Sequence, residues 1–209
     1  MHPARLASAV ALACTVMAAG VVSAAPRPVC NLVVDSAGDA VLDGRPHDDA
    51  NLDILGADVA SDGKRITAVL RLGGVDAIDP KAPFGRSVYL HFTTPGTKLP
   101  MYLSAGTDPA LGMLYDFGTV VGTGYTSNNL TGTAIGSIDA AKKTITISAP
   151  ADLGKLMAPG KSKKLQSFQV RSTLLVGAAR AGLVFDADDA KSKTTYVTGT
   201  PSCVAVAKG

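Results

Sequence analysis

The sequence predicts an all-β fold, an antiparallel β-sandwich of jelly-roll or immunoglobulin-like type with one short helix near 151–157. Short runs rich in Val, Ile, Leu, Thr and Tyr recur at 30–34, 53–60, 65–73, 87–93, 98–104, 111–117, 131–137, 143–148, 166–177, 181–186 and 194–205. Turn chemistry separates them: Ser61-Asp62-Gly63, Thr94-Pro95-Gly96, Gly122-Thr123-Gly124, Asp139 to Lys142, Pro159-Gly160 and Asp186 to Asp189. Within a run the side chains alternate. In 65–72, Ile66, Ala68, Leu70 and Leu72 take one face, and Arg65, Thr67, Val69 and Arg71 the other. Many short strands of this kind, each apolar on one side, are satisfied by stacked sheets or a barrel.

Taken in order, residues 1–24 read as an export signal. His2, Arg5 and the amino terminus form a short positive region, 6–22 are nearly all apolar or small, and Val22-Ser23-Ala24 is a small-residue cleavage box before Ala25. The apolar run is short for a membrane-spanning helix. Cys14 raises lipid attachment, but Ala11 stands where a lipidated Cys usually has Leu. Residues 25–209 are therefore expected to form one domain, secreted or held at the cell envelope, with no membrane span after cleavage.

Two cysteines then remain, Cys30 and Cys203, near the two ends of that domain. In an exported chain such a pair is most simply a disulfide; two free thiols or a metal pair are the alternatives. The bridge would close a loop of about 170 residues and constrain the unfolded chain by roughly 4–5 kcal/mol on the loop-entropy model. The formal charge of +3 is too balanced to imply a nucleic acid or an anionic membrane as partner. The lysine-rich stretch 155–164 holds Pro159 and Gly160 and no aromatic residue, which suits a solvated loop.

The stretch 34–64 is the densest in side-chain oxygens, with Asp35, Asp39, Asp43, Asp48, Asp49, Asn51 and Asp53 close together. Carboxylates so crowded repel one another unless solvent or a hard cation intervenes. Calcium takes six to eight oxygen ligands, and Gly38 or Gly44 allows the tight turn that presents backbone carbonyls. Asp35, Asp39, Asp49 and Asp53 are the candidate calcium ligands. The plainer alternative is a solvated Asp/Gly turn.

A second candidate site lies on two later strands. Alternation in 86–92 sets Val88, Leu90 and Phe92 against Tyr89 and His91, and in 98–105 it sets Tyr102 against Leu99, Met101 and Leu103. With the aliphatic side inward, Tyr89, His91 and Tyr102 share the outer face of one sheet, where a sugar or small apolar ligand could rest. Otherwise they are ordinary half-exposed strand residues. His47, beside Asp48 and Asp49, reads as a turn cap.

Motifs for catalysis are missing from the sequence. Ser104 sits in Leu-Ser-Ala-Gly rather than Gly-x-Ser-x-Gly, and there is no phosphate loop, His-Glu-x-x-His or Cys-x-x-Cys. Carboxylate pairs exist in number, but nothing selects one pair over another.

Two segments carry a resemblance. Asp35-x-x-Gly38-Asp39, the acidic loop, Leu52-Asp53-Ile54, the Asp62-Gly63 turn and the alternating strand to Leu72 form the first. Lys143-Thr-Ile-Thr-Ile-Ser-Ala-Pro150, a short helix and Pro159-Gly160 form the second. Together they resemble the β-sandwich modules of the DOMON and family-nine carbohydrate-binding type, and are similar to exported actinobacterial proteins and accessory domains of secreted peptidases. The resemblance implies a jelly-roll-like sandwich, structural calcium in the acidic loop through Asp35, Asp39 and Asp53, and binding of sugars or, in some members, haem. A haem would fall between His91 and Met101 or Met113, although alternation places Met101 with the core. The chain departs from the pattern in having no Trp, which weakens the case for sugar stacking.

The resulting expectation is a secreted or envelope-associated binding module without catalytic activity, stabilised by calcium, whose partner is a carbohydrate or another envelope component. A secreted hydrolase with a site invisible in the sequence is the first alternative, and a structural or protein-interaction domain without a small ligand the second.

Overall fold

The structure, a computed structural model, describes residues 27–42, 45–46, 48–75, 85–97, 99–108, 111–121, 128–157, 164–176 and 183–208. The expected signal 1–24, Asp43, Gly44, His47, the 122–124 turn and residues 158–163 of the lysine-rich stretch lie outside the described residues.

The strands are β1 (Val33–Val34), β2 (Val41–Leu42), β3 (Arg45–Pro46), β4 (Ile54–Ser61), β5 (Arg65–Leu72), β6 (Arg86–Thr93), β7 (Met101–Asp108), β8 (Gly112–Val120), β9 (Asn128–Thr133), β10 (Ile135–Asp139), β11 (Thr144–Pro150), β12 (Lys164–Val176), β13 (Leu183–Ser192) and β14 (Tyr196–Val197). A five-stranded sheet runs β1-β4-β5-β11-β10, and a seven-stranded sheet runs β13-β12-β6-β7-β8-β9 with β14 beside β12. The named strands pair antiparallel throughout. The fold is an antiparallel sandwich, as expected.

Pleat alternation builds the core. Ile66, Ala68, Leu70 and Leu72 of β5 and Ile145, Ile147 and Ala149 of β11 share one buried cluster with Val88, Leu90 and Phe92 of β6, Leu103 of β7 and Phe168 and Val170 of β12. Turn residues fit their places. Asp62 Oδ1 accepts the backbone N–H groups of Lys64 and Arg65 at 2.8 Å each, and Gly63 takes φ 83°.

Both ends of the described chain lie against the outer face of the five-stranded sheet. Thr67 and Ser148, which alternate outward, are nonetheless fully buried, and the Ala207 N–H donates to Thr67 Oγ1 at 3.1 Å. On the same face Asp58 accepts the Leu32 N–H at 3.1 Å and pairs with Arg71. Val29 donates to Pro201 O at 2.9 Å, and a bridge pairs Val29 with Ser202. Cys30 and Cys203 then join, with Cα atoms 5.2 Å apart, across a separation of 173 residues. Tyr196, fully buried, fastens the last segment further: its hydroxyl accepts the Ser61 N–H at 2.9 Å and donates to Thr200 O at 3.0 Å.

Four expectations are corrected. Residues 151–157 form turns rather than a helix, because Leu153, Gly154 and Lys155 take φ of 45°, 65° and 75°, a left-handed run that a right-handed helix excludes. Leu153 and Met157 are buried there. The run 131–137 is two strands broken at Ala134, where the chain passes from one sheet to the other and the Ala134 N–H donates to Tyr115 O at 2.7 Å. Of 194–205 only β14 is strand, since Gly199 takes φ 84° and Pro201 cannot donate to a ladder. Asp186 to Asp189 lies inside β13 rather than in a turn.

The disulfide and Tyr196 set two expected outcomes. A chain starting at Ala25, unreduced, should show no reactive thiol, and Cys203→Ser should cost roughly 2–4 kcal/mol, read as a lower Tm. Tyr196→Phe should cost about 1–3 kcal/mol in urea unfolding, because the buried Ser61 N–H loses its acceptor.

Candidate functional site

The acidic stretch delivers part of its expected cluster. The turn after β1 carries Asp35 and Asp39, and β13 brings Asp188 to them, so that one carboxylate oxygen of each lies within 4.8 Å of the others. β1 and β13 are edge strands of different sheets. Asp188 Oδ2 is held by the Ile54 N–H at 2.7 Å and Oδ1 by the Asp189 N–H at 2.8 Å. Burial, followed by the charges of Asp35 and Asp39, pushes its carboxyl up to about 6. Burial likewise raises Asp35, with Asp39 and Asp53 adding to the effect.

The other two expected ligands have different partners. Asp53, buried, accepts the Gly38 N–H with both oxygens at 2.9 and 3.0 Å, and thereby closes the turn that holds Asp35 and Asp39. Asp49 accepts from Arg86 Nε and Nη2 at 2.8 Å each and from Asn51, and these bonds hold its carboxyl below the usual range against its burial. The donors at Asp35, Asp39 and Asp188 are hard oxygens of the kind calcium takes, three of the six to eight it needs, with backbone carbonyls or water left to supply the rest.

Tyr89, His91 and Tyr102 do come together, on the outer face of the seven-stranded sheet. His91 pairs with Tyr102 and Tyr89 with Ser104 across β6 and β7, while β12 sets Gln169 beside His91 and Arg171 beside Tyr89. Ring centroids lie 5.8 Å apart for Tyr89 and His91, 6.1 Å for Tyr89 and Tyr102, and 6.5 Å for His91 and Tyr102. Gly118 of β8 faces Tyr102, and a Cβ there would sit 2.9 Å from the ring and 2.1 Å from Asn129 O.

The rings form a packed cluster rather than an open platform. Tyr102 is 3% exposed and His91 8%, so a sugar meets their surroundings before it meets them. Burial, with Asp116 next, pushes the Tyr102 phenol up to about 12, and burial raises Tyr89 as well. Burial and then Arg171 pull the His91 imidazole down to about 4. Its Nε2 is buried with no hydrogen-bond partner among the described residues. His91 lies on the face of the sheet opposite the buried Met101 and opposite Met113, which packs against the core, so neither axial pair that a haem would need comes together.

A charged border lies along the β13 side. Arg171 donates to Asp186 at 2.6 Å, Gln169 Nε2 to Asp189 at 2.7 Å, and Lys191 pairs with Asp189 at 3.0 Å. Burial and then Asp189 push Asp186 up to about 6, with the charge of Lys191 working against that rise. Next to this border a hollow of about 610 Å³ opens, lined by Gln166, Ser167, Phe168, Gln169, Lys191, Ser192, Lys193 and Thr195.

No family model matches the chain, and no curated protein matches it.

Asp188 and the hollow were missed in the sequence for different reasons. Asp-Ala-Asp-Asp at 186–189 looks like a turn, and only the alternation of a long β13 would have aimed Asp188 at Asp35. Apart from Phe168, the hollow is lined by Gln, Ser, Thr and Lys, which carry no periodic signal, around a β-bulge.

An imidazole titration followed by NMR should place His91 near pH 4. Between that value and the unfolded value of about 6.5, the unfolded chain binds the proton, so stability should fall as pH drops through this window, by about 3 kcal/mol, and His91→Gln should flatten the loss.

Proposed function

We propose that the protein is an exported carbohydrate-binding module of the secreted or envelope-associated kind, whose ligand lies in the hollow of β12 and β13 next to the Tyr89, His91 and Tyr102 cluster. The observation that carries this reading is the wall of that hollow, which sets two side-chain amides, three hydroxyls and two amines around Phe168 on one concave surface. Amides and hydroxyls both donate and accept, as sugar hydroxyls require. The ring cluster acts behind this wall. Gln169 stands opposite His91 across β12 and β6, so the rings back the β12 side of the hollow rather than stacking on the ligand. The resemblance to DOMON and family-nine modules supports the same reading.

The acid cluster adds a proposed structural calcium, held by Asp35, Asp39 and Asp188, with Asp53 shaping the turn. It would pin the turn after β1 to β13 across the open edge of the sandwich. An ion bound only to the folded state adds roughly 2.7 kcal/mol at a hundredfold excess over Kd.

A glycan array probed with the mature protein should return binding to a defined saccharide class, and Thr195→Trp, which fills the hollow, should abolish it with Tm retained. An empty array would count against the reading. Hydrolysis of a bound saccharide, followed by reducing-end release, would instead support the hydrolase alternative. For the cation, millimolar calcium should raise Tm over chelator by about 5–10 °C, more at pH 7.5 than at pH 5 because only ionised carboxylates ligate. Asp39→Asn should remove that increment. Equal midpoints in calcium and chelator would leave the stretch as a solvated acidic turn.

A further inference from the structure

We propose that the hollow recognises an acidic saccharide, a polyhydroxyl chain bearing carboxylate or phosphate groups, with Lys193 and Lys191 reading the charge. The proposal rests on the carbohydrate reading above and narrows its ligand class.

The first observation is how the hollow is made. Gln166 to Gln169 of β12 run opposite Thr93 to His91 of β6, so β12 carries one residue more than its partner and bulges there. Ser167 sits in the bulge at φ 55°, a left-handed conformation that non-glycine residues rarely adopt. Bulges of this kind redirect side chains, and non-glycine residues held in such conformations collect at binding sites. Here the bulge turns a flat strand pair into a hollow within the ~300–1,000 Å³ typical of small-ligand sites.

The second observation is the charge of the walls. Among the described residues of the lining, Lys191 and Lys193 carry the charge and no acid stands with them. Lys191 is shared with Asp189, which lies outside the lining and is also bonded by Gln169. Lys193 makes no ion pair among the described residues. A neutral sugar entering the hollow offers that ammonium hydroxyl acceptors but no counter-charge, and a charge-assisted bond is the stronger of the two. A carboxylate or phosphate supplies the missing counter-charge, while the amides and hydroxyls take the sugar hydroxyls. Arg171 is committed to Asp186 at 2.6 Å, which leaves the two lysines to discriminate.

The test compares one backbone with and without its charge. Titration calorimetry of the full mature chain would use an oligogalacturonate, its methyl ester and a glycerol-phosphate oligomer, alongside an array of acidic and neutral glycans. The acidic members should bind about tenfold more tightly than their neutral counterparts, with the preference shrinking as salt rises. The oligogalacturonate and phosphate arms show which anion the lysines prefer. Lys193→Gln should lose roughly fivefold on the acidic members and little on the neutral ones, and Lys191→Gln with Lys193→Gln should abolish the preference; Lys193→Arg should keep it. Tm readings confirm that the variants fold. Equal affinity for acid and ester, or a preference that survives in the double variant, overturns the acidic assignment and leaves the carbohydrate reading standing. Failure of every array member to bind overturns both.

Discussion

Leu90, Phe92 and Leu103 from one sheet and Ile66, Ala68 and Leu70 from the other meet in a single buried cluster, and the remainder of the molecule is arranged around that contact. Because strand side chains alternate, each residue sent inward fixes its neighbours outward. Polar side chains are thereby confined to outer faces and edges. On β6 this places Tyr89 and His91 outside by the same rule that places Val88 and Leu90 inside. On the five-stranded sheet it exposes Thr67, Ser148 and Asp58, which the two terminal segments then cover. The disulfide matters for this reason: it ties together two segments that have little regular pairing of their own.

The edges follow a different rule. Where β1 and β13 end the two sheets on one side, the polar groups belong to different parts of the chain: Asp35 and Asp39 from the start, Asp188 from near the end. Gathering three carboxylates costs stability through desolvation and mutual repulsion, visible in the upward displacement of Asp188. A fold that keeps such an arrangement either tolerates that cost or offsets it with a cation.

Much of the architecture was legible in the sequence because period-two alternation and turn chemistry are local signals. The strands near 53–60, 65–73 and 87–93 appear within a residue or so of their expected bounds as β4, β5 and β6. Cys30 and Cys203 were legible by elimination, and the gathering of Tyr89, His91 and Tyr102 by face assignment. Local signals fail where long-range packing decides. The left-handed turns at Leu153 and Lys155 look helical in sequence because Leu153, Leu156 and Met157 are spaced like one helix face. Asp49 looks like Asp39 until Arg86 is placed beside it. Burial of Tyr102 to 3% exposure was equally invisible, since alternation gives the face of a residue but not what lies over it.

The position of the two terminal segments bears on how the domain is displayed. Asn31, Leu32 and Ala207 meet the outer side of the five-stranded sheet, whereas the ring cluster and the Gln169 and Lys191 wall of the hollow belong to the outer side of the seven-stranded one. The two described ends therefore sit at the back of the domain relative to the hollow. A tether at either end, to a surface, a bead or a fused domain, holds the hollow facing away from the attachment, and coupling through both ends leaves that orientation unchanged because Cys30 and Cys203 keep the two exits side by side.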